Sequence, residues 1–468
     1  MEQLKKIGCV EFKRSVDVKR SRIGLGFEKL DRDIFDPEKS YPFVAESGIK
    51  WARLQSGWQK TEKVKGVYDF EWLDKIVDNL AAVGVESWLC LCYGNGLYTP
   101  SANKYFGAVG CPPINTQEER DAWDAYVKAT VEHFKGRIHY YEVWNEPDGA
   151  WCWKHGPNPI ELADFTIATA KACKAADPTC EVVGMVTCVP DTKYNEVLCE
   201  RGICDYIDAI SYHAYIVEDK DFIGTYNFYD DLRKRYKPSL KIIQGESGTQ
   251  SRSDGCGALN GGAWTEDKQS KFLLRHLITD LAIGAEFTSY FSCMDMAEAL
   301  NGTAGDVSTI SDFGYFGVVG ADFDENARAT GDYHAKKSFY ALKTLTAVLS
   351  EDFERIDIDV TPIKEFSQRM FGDNFDFAEA TKYIFRRENG ATALFYWVPR
   401  NILTETYDGE CSFTVSESDV TGEPVLIDML DGSIYELDEK HFTHENGCYR
   451  FKNVPITDSP ILIKFGEF

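Results

Sequence analysis

The sequence predicts a (β/α)8 TIM barrel of the α/β class carrying a C-terminal antiparallel β-sandwich, and three observations carry that prediction. Over the first three-quarters of the 468 residues, eight short β-rich runs alternate with longer amphipathic stretches. Near position 350 the alternation stops, and strand-like runs separated by Asn-Gly, Asp-Gly and Thr-Gly turn signals take over. No Gly-rich phosphate loop follows the first run, so eight units fit closure better than an open doubly wound sheet.

The eight expected barrel strands are 22–27 (RIGLGF), 50–55 (KWARLQ), 85–93 (VESWLCLCY), 138–144 (IHYYEVW), 181–187 (EVVGMVT), 207–213 (IDAISYH), 240–245 (LKIIQG) and 286–293 (EFTSYFSC). Between them, 69–83, 117–134, 160–176 and 267–283 place apolar residues at three- and four-residue spacing, as helices with one covered face do. A last helix is expected over 333–349. Segment 294–330 is rich in Gly, Asp and Asn and lacks periodicity; a loop of that length on a barrel is functional and hangs over the C-terminal face. Runs 381–385, 391–398, 411–415, 424–428 and 461–465 read as the sandwich. The expected division is therefore an N-terminal strand within 1–21 (around 7–18) pairing with the β-domain, a barrel over 22–349 and an accessory β-domain over 350–468.

Composition bounds the function. With 44% apolar and 27% charged residues the chain is globular. Fifty-one basic against 75 acidic residues give a net charge of −24, which repels phosphate backbones and anionic lipid, so neither nucleic acid nor membrane is an expected partner. Fourteen cysteines form no regular framework and no CxxC pair, several lie inside apolar runs, and the N-terminus lacks an apolar signal core. No stretch approaches 18 uncharged apolar residues. These features point to a reduced, cytoplasmic protein, with a chain trimmed of a leader as the alternative. Eight histidines show no metal-ligand spacing, GESG lacks the register of a nucleophile elbow, and no cofactor fingerprint occurs. No metal or cofactor is therefore expected.

Barrel chemistry sits where strands end. The fourth strand runs into Trp144-Asn145-Glu146-Pro147 and the seventh into Gly245-Glu246-Ser247-Gly248. The two glutamates, 100 residues and three β/α units apart, can converge across the rim. One Glu at a strand end is ordinarily a solvated charge, but two carboxyls about 5 Å apart are what a retaining glycosidase requires. The run EVWNEPD, the SYHAY after strand six and the C-terminal β-domain resemble clan A glycoside hydrolases, family 39 in particular, which includes β-xylosidases and α-L-iduronidases.

The resemblance implies that Glu146 is the general acid/base, Glu246 the nucleophile and Asn145 a donor to the sugar 2-hydroxyl. It implies further that His213 and Tyr215 line the pocket and that Arg53, ending strand two, lies near the nucleophile. Physically, the Arg53 cation and Tyr215 hydroxyl favour an ionised Glu246, whose charge in turn is expected to raise the pKa of Glu146 until the glycosyl ester forms. Core packing is the ordinary fate of aromatic rings, yet Trp151, Trp153 and Tyr93 (with Tyr98, Trp58 and Trp264 as weaker candidates) sit in rim loops where a sugar face could stack.

The reading is a retaining, exo-acting hydrolase of small β-glycosides (xyloside, glucoside or galactoside), with a uronic-acid glycoside as the alternative sugar. An endo-glycanase and a non-catalytic carbohydrate-binding protein are the rival functions. The expected partner is a small glycoside or oligosaccharide; assembly into a homo-oligomer is left open.

Overall fold

The computed structural model describes Met1 and residues 4–363 and 379–466; the parts of the expected terminal segments at 2–3, 364–378 and 467–468 lie outside the described residues. Eight parallel strands close into a barrel: Ile23–Gly26, Trp51–Gln55, Glu86–Leu91, Tyr140–Val143, Glu181–Thr187, Ala209–His213, Lys241–Ser247 and Thr288–Tyr290. The eighth pairs back on the first, with Leu25 opposite Tyr290. These runs are nearly unbroken apolar stretches because helices cover one face and the barrel interior the other, so that every residue of Ala209–His213 is buried.

Local signals start the surrounding helices. Thr116 and Glu119 form a reciprocal capping box at Gln117–Phe134, and Asn158 caps Pro159–Ala176, where proline occupies the first turn. Trp88, Tyr140, Val183, Ala209, Ile243 and Phe287 form a separate buried cluster drawn from the N-terminal halves of the strands. Trp51 stacks on Phe287 against it, with ring centroids 4.9 Å apart. These side chains plug the lower barrel, which leaves the C-terminal mouth as the open end. Near that mouth the ladders of strands five to eight shift register at Gly184/Thr187, Tyr212/His213 and Gln244/Ser247. Such bulges re-aim side chains at a rim.

The long segment after strand eight is not structureless. Met296–Ala297 pairs with Phe313–Gly314, and Val319–Phe323 forms a hairpin with Ala329–Ala335. Residues 333–335, expected to open the last helix, therefore belong to a strand, and the helix is Lys337–Val348.

Beyond it lie two antiparallel sheets. The larger is ordered Lys5–Cys9, Ser433–Glu436, Pro424–Asp428, Ile461–Phe465, Thr392–Trp397, Thr381–Arg387, Phe353–Ile356. The smaller comprises Val360–Pro362, Asp408–Ser416, Cys448–Thr457 and Phe442–Glu445. The N-terminal strand is short; after Cys9 the chain leaves the sheet and makes a 3-10 turn at Ser15–Asp17. Thr392–Trp397 is buried throughout because it has two covered faces. Leu394 and Tyr396 join the sandwich core, while Ala393, Phe395 and Trp397 join the barrel core. At that junction the Trp397 indole donates to Asp219 Oδ2 at 2.8 Å, and Asp219 is also held by Arg275. No helix among the described residues is long and apolar enough to cross a membrane.

Candidate active site

Glu246 lies within the seventh strand, and Glu146 follows the fourth by three residues. The chain reaches Glu146 through a constrained turn in which Trp144 (φ 64°) and Glu146 (φ 43°) adopt left-handed backbone. Each such non-glycine residue costs of order 1–3 kcal/mol and persists only where surrounding structure imposes it. Here the Trp144 amide bonds to the Leu91 carbonyl and the Glu146 amide to the Val186 carbonyl, which ties the turn to strands three and five. Before Glu246, Gly245 is required by close approach: a Cβ there would lie 2.2 Å from Ser211 Oγ.

The two carboxyl groups meet. One oxygen of each and a ring nitrogen of His213 lie within 4.8 Å of one another. His213 Nδ1 is 2.9 Å from Glu146 Oε1 and 3.7 Å from Glu246 Oε2. Arg53 is buried beneath them. Its guanidinium donates to Glu246 Oε2 (2.8 Å), Glu142 Oε2 (2.7 Å), Glu28 Oε1 (3.2 Å) and Asn145 Oδ1 (2.8 Å). Tyr215 donates its hydroxyl to Glu246 Oε1 at 2.5 Å. Three ligand-type groups this close could also surround a cation, but the fixed positive charge of Arg53 against Glu246 opposes that use.

Electrostatics divide the pair. Burial alone would raise the Glu146 carboxyl, yet the hydrogen bond and charge of His213, the Trp151 indole and Arg53 outweigh it, and the net shift is downward. His213 shifts the opposite way: burial opposes the imidazolium, but the charge of Glu246 and the hydrogen bond to Glu146 raise its pKa. The two directions agree on a charged His213–Glu146 pair. This corrects the expectation that Glu246 would raise Glu146: the nearest neighbours of Glu146 are donors, and they win over a more distant like charge. Tyr215 is pushed up by burial and then by Glu246, which keeps it a hydroxyl donor.

A cavity of about 430 Å³ opens over the pair, within the size range of small-molecule sites. Glu146, Glu246, Asn145, Tyr215, Trp151 and Tyr93 all line it. Arg53 and His213 stand behind the carboxylates and act through them. Trp153 does not reach the cavity. It is fully buried, edge-on to Trp144 at 5.8 Å and to Phe165 at 5.8 Å, so the loop that presents Trp151 turns Trp153 into the core. The weaker candidates are also packed away: Trp58 lies between Tyr98 and Tyr126, with Tyr98 bonded to Glu62, and Trp264 bonds to the Leu259 carbonyl.

The sequence reading missed Glu28, Lys29 and Arg32 after the first strand and Glu298 in the long segment after the eighth, all of which line the cavity. Their signal was the strand-end rule applied to strand one, where an apolar run meets four charges within five residues. Lys29 Nζ lies 3.5 Å from Glu298, and Arg32 is held by Asp31 and Gln55. Phe291 and Phe316 supply apolar wall.

A sequence model described as glycosyl hydrolases family 39 matches residues 46–243, which include Glu146 and end three residues before Glu246. A curated relative, the β-galactosidase BgaA of Clostridium cellulovorans, is 26% identical over 149 residues, 28% of this chain and 22% of that protein. The β-galactosidase BgaH of Haloferax lucentense is 32% identical over 79 residues, 17% of this chain and 11% of its own. The matched stretches thus span under a quarter of those relatives' lengths. Among solved structures, a family 39 glycoside hydrolase from Bacteroides cellulosilyticus WH2 superposes with a TM-score of 0.67 at 15% identity, covering 95% of this chain and 81% of that one. A GH39 β-xylosidase from Caulobacter crescentus gives 0.57 at 16% identity, covering 99% and 98%. The chain is thus similar to glycosyl hydrolases family 39 in its matched barrel segment, and its fold is similar to that of solved family 39 structures.

Proposed function

We propose that this protein is a retaining, exo-acting glycosidase of small neutral β-glycosides. The observation that carries the reading is the convergence of Glu146 and Glu246, whose oxygens lie within 4.8 Å across one cavity. That separation suits a nucleophile and an acid rather than two carboxyls with water between them. In the first half-reaction a Glu246 oxygen bonds to the anomeric carbon as the bond to the departing oxygen breaks, and Glu146 supplies that oxygen's proton. In the second, Glu146 takes a proton from water as the water oxygen displaces Glu246. Arg53 and Tyr215 hold the attacking carboxylate in place and lose one of their charges to bind when the ester forms.

The lining supports a neutral sugar. Four carboxyl groups (Glu28, Glu146, Glu246, Glu298) face two cations, and Lys29 and Arg32 already have acidic neighbours, so a uronate would find no free counter-charge. The names of the relatives make a galactoside or a xyloside the first sugars to try. The hairpin and turns after strand eight, which bring Glu298, Leu300 and Asn301 to the rim, support a closed pocket and exo-action. Fourteen free thiols support a cytoplasmic setting.

The test is Glu246→Ala on aryl β-glycosides with and without azide. Turnover should vanish and return with azide, giving a glycosyl azide of inverted configuration; undiminished turnover would remove Glu246 from the reaction. Release of monosaccharide alone supports exo-action, and mixed oligosaccharides oppose it.

A further inference from the structure

Both oxygens of Glu146 are hydrogen-bonded within the protein. His213 Nδ1 holds Oε1 at 2.9 Å, and the Trp151 indole Nε1 donates to Oε2 at 2.6 Å. A general acid has to present one oxygen, carrying a proton, to the departing glycosidic oxygen. The two donors differ in freedom. His213 is fully buried behind the carboxylates, whereas Trp151 lines the cavity with 36% of its surface exposed. The indole also lies flat against its own loop: a Cβ on Gly149 would sit 2.3 Å from Trp151 Cε2, so the glycine makes room for the ring to fold back over Glu146.

Resting on the glycosidase reading, we propose that Trp151 is a positioning residue that gates the general acid: its N–H caps Oε2, and a substrate's leaving group, packing against the indole face, draws it off. Oε2 then takes a proton from solvent, passes it to the departing oxygen, recovers one from the water that attacks in the second half-reaction, and returns that proton to solvent as the indole closes on the carboxylate again. Until substrate arrives, the indole adds to His213 in favouring the charged form of Glu146, in line with the downward shift of its carboxyl.

Other groups face Glu146, and none is placed to take over this duty. His213 and Tyr215 approach from the end of strand six, Glu246 from strand seven and Arg53 from strand two. Asp148 and Cys152 on the following loop, Cys188 after strand five and Glu298 after strand eight interact through their charge or their thiol. Among the described hydrogen bonds, the indole is the donor at Oε2.

The experiment compares pH profiles of the wild type with Trp151→Phe and with Trp151 replaced by its benzothiophene isostere, which keeps the ring shape and loses only the N–H. The alkaline limb of kcat/KM reports the acid in the free enzyme, and that of kcat reports it in the complex. Deleting one hydrogen bond to the carboxylate should move the kcat/KM limb up by about one pH unit. The kcat limb should stay where it is, because substrate has already displaced the indole. Phe should raise KM for aryl glycosides, and the isostere should not. A carbon-13 titration of the Glu146 carboxyl without substrate should show the same upward shift in both variants. An unmoved kcat/KM limb in an active, folded variant, or equal movement of both limbs, overturns the gate while leaving the glycosidase reading intact. A wild type that hydrolyses no glycoside overturns both.

Discussion

Glu28 lies two residues past the first barrel strand in a fully buried position. Its Oε1 accepts from Arg53 at 3.2 Å, and its Oε2 has no hydrogen-bond partner among the described residues. Burial, opposed by Arg53 and reinforced by the charge of Glu246, pushes its carboxyl from the ordinary 4.5 up to about 7. The difference, 7 − 4.5, corresponds to about 3 kcal/mol at roughly 1.4 kcal/mol per pH unit. Between those two values the folded protein binds the extra proton, so the stability that Glu28 confers is complete below about pH 4.5 and is lost as pH rises through 7. Glu28→Gln is neutral at every pH and keeps an oxygen for Arg53. It should come within about 1 kcal/mol of the wild type at pH 5 and exceed it by up to about 3 kcal/mol at pH 8. Urea unfolding followed by far-UV circular dichroism at pH 5, 6, 7 and 8 measures this, provided the m-value is unchanged. Parallel pH slopes for the two proteins would refute the argument, because they would mean that Glu28 enters the fold already ionised.

Arg53→Met leaves three buried carboxylates facing one another without their shared counter-ion. Unfolding free energy should fall by about 3–5 kcal/mol, the loss should grow as pH rises, and turnover of aryl glycosides should collapse; denaturation at two pH values with a rate assay decides it. Trp153→Ala should cost about 3–5 kcal/mol of stability and leave KM unchanged, because the ring packs on Trp144 and Phe165 and not on the cavity. A raised KM with unaltered melting would return Trp153 to the substrate site. In Glu146→Gln the His213 imidazole loses the partner that helps to raise its pKa, so its ring resonances should titrate at lower pH; no movement would break the pairing argument.

The barrel was legible because its strands are buried on both faces and therefore read as apolar runs, and because the helices between them place apolar residues at three- and four-residue spacing. The sandwich was legible only in part. Ser433–Glu436 and Phe442–Glu445 are four-residue strands with half-exposed patterns, too short for a period of two to declare itself. Cys448–Thr457 carries the charges Arg450 and Lys452 and a proline, composition that argues against a strand although the chain pairs along its whole length with Asp408–Ser416. The hairpin Val319–Phe323/Ala329–Ala335 escaped notice for a related reason: its second strand, ATGDYHA, is mostly solvated, and its order comes from a partner six residues back rather than from its own pattern.

For the site, the strand-end rule identifies which backbone positions face the mouth, and it locates Glu146 and Glu246, while Arg53 is legible only through the family resemblance. It cannot choose between Trp151 and Trp153, since two residues on one irregular loop carry no periodicity to tell the inner ring from the outer. Nor can it place a proton. Two glutamates viewed as an isolated pair lead to a protonated Glu146, because like charges raise each other's pKa. The folded chain adds His213 from a strand 67 positions away and an indole five positions on, both aimed at the same carboxylate. Two donors at hydrogen-bond distance outweigh one like charge across the cavity, so the protonation state of the acid is a property of the assembled rim and depends on which of those donors a substrate can move.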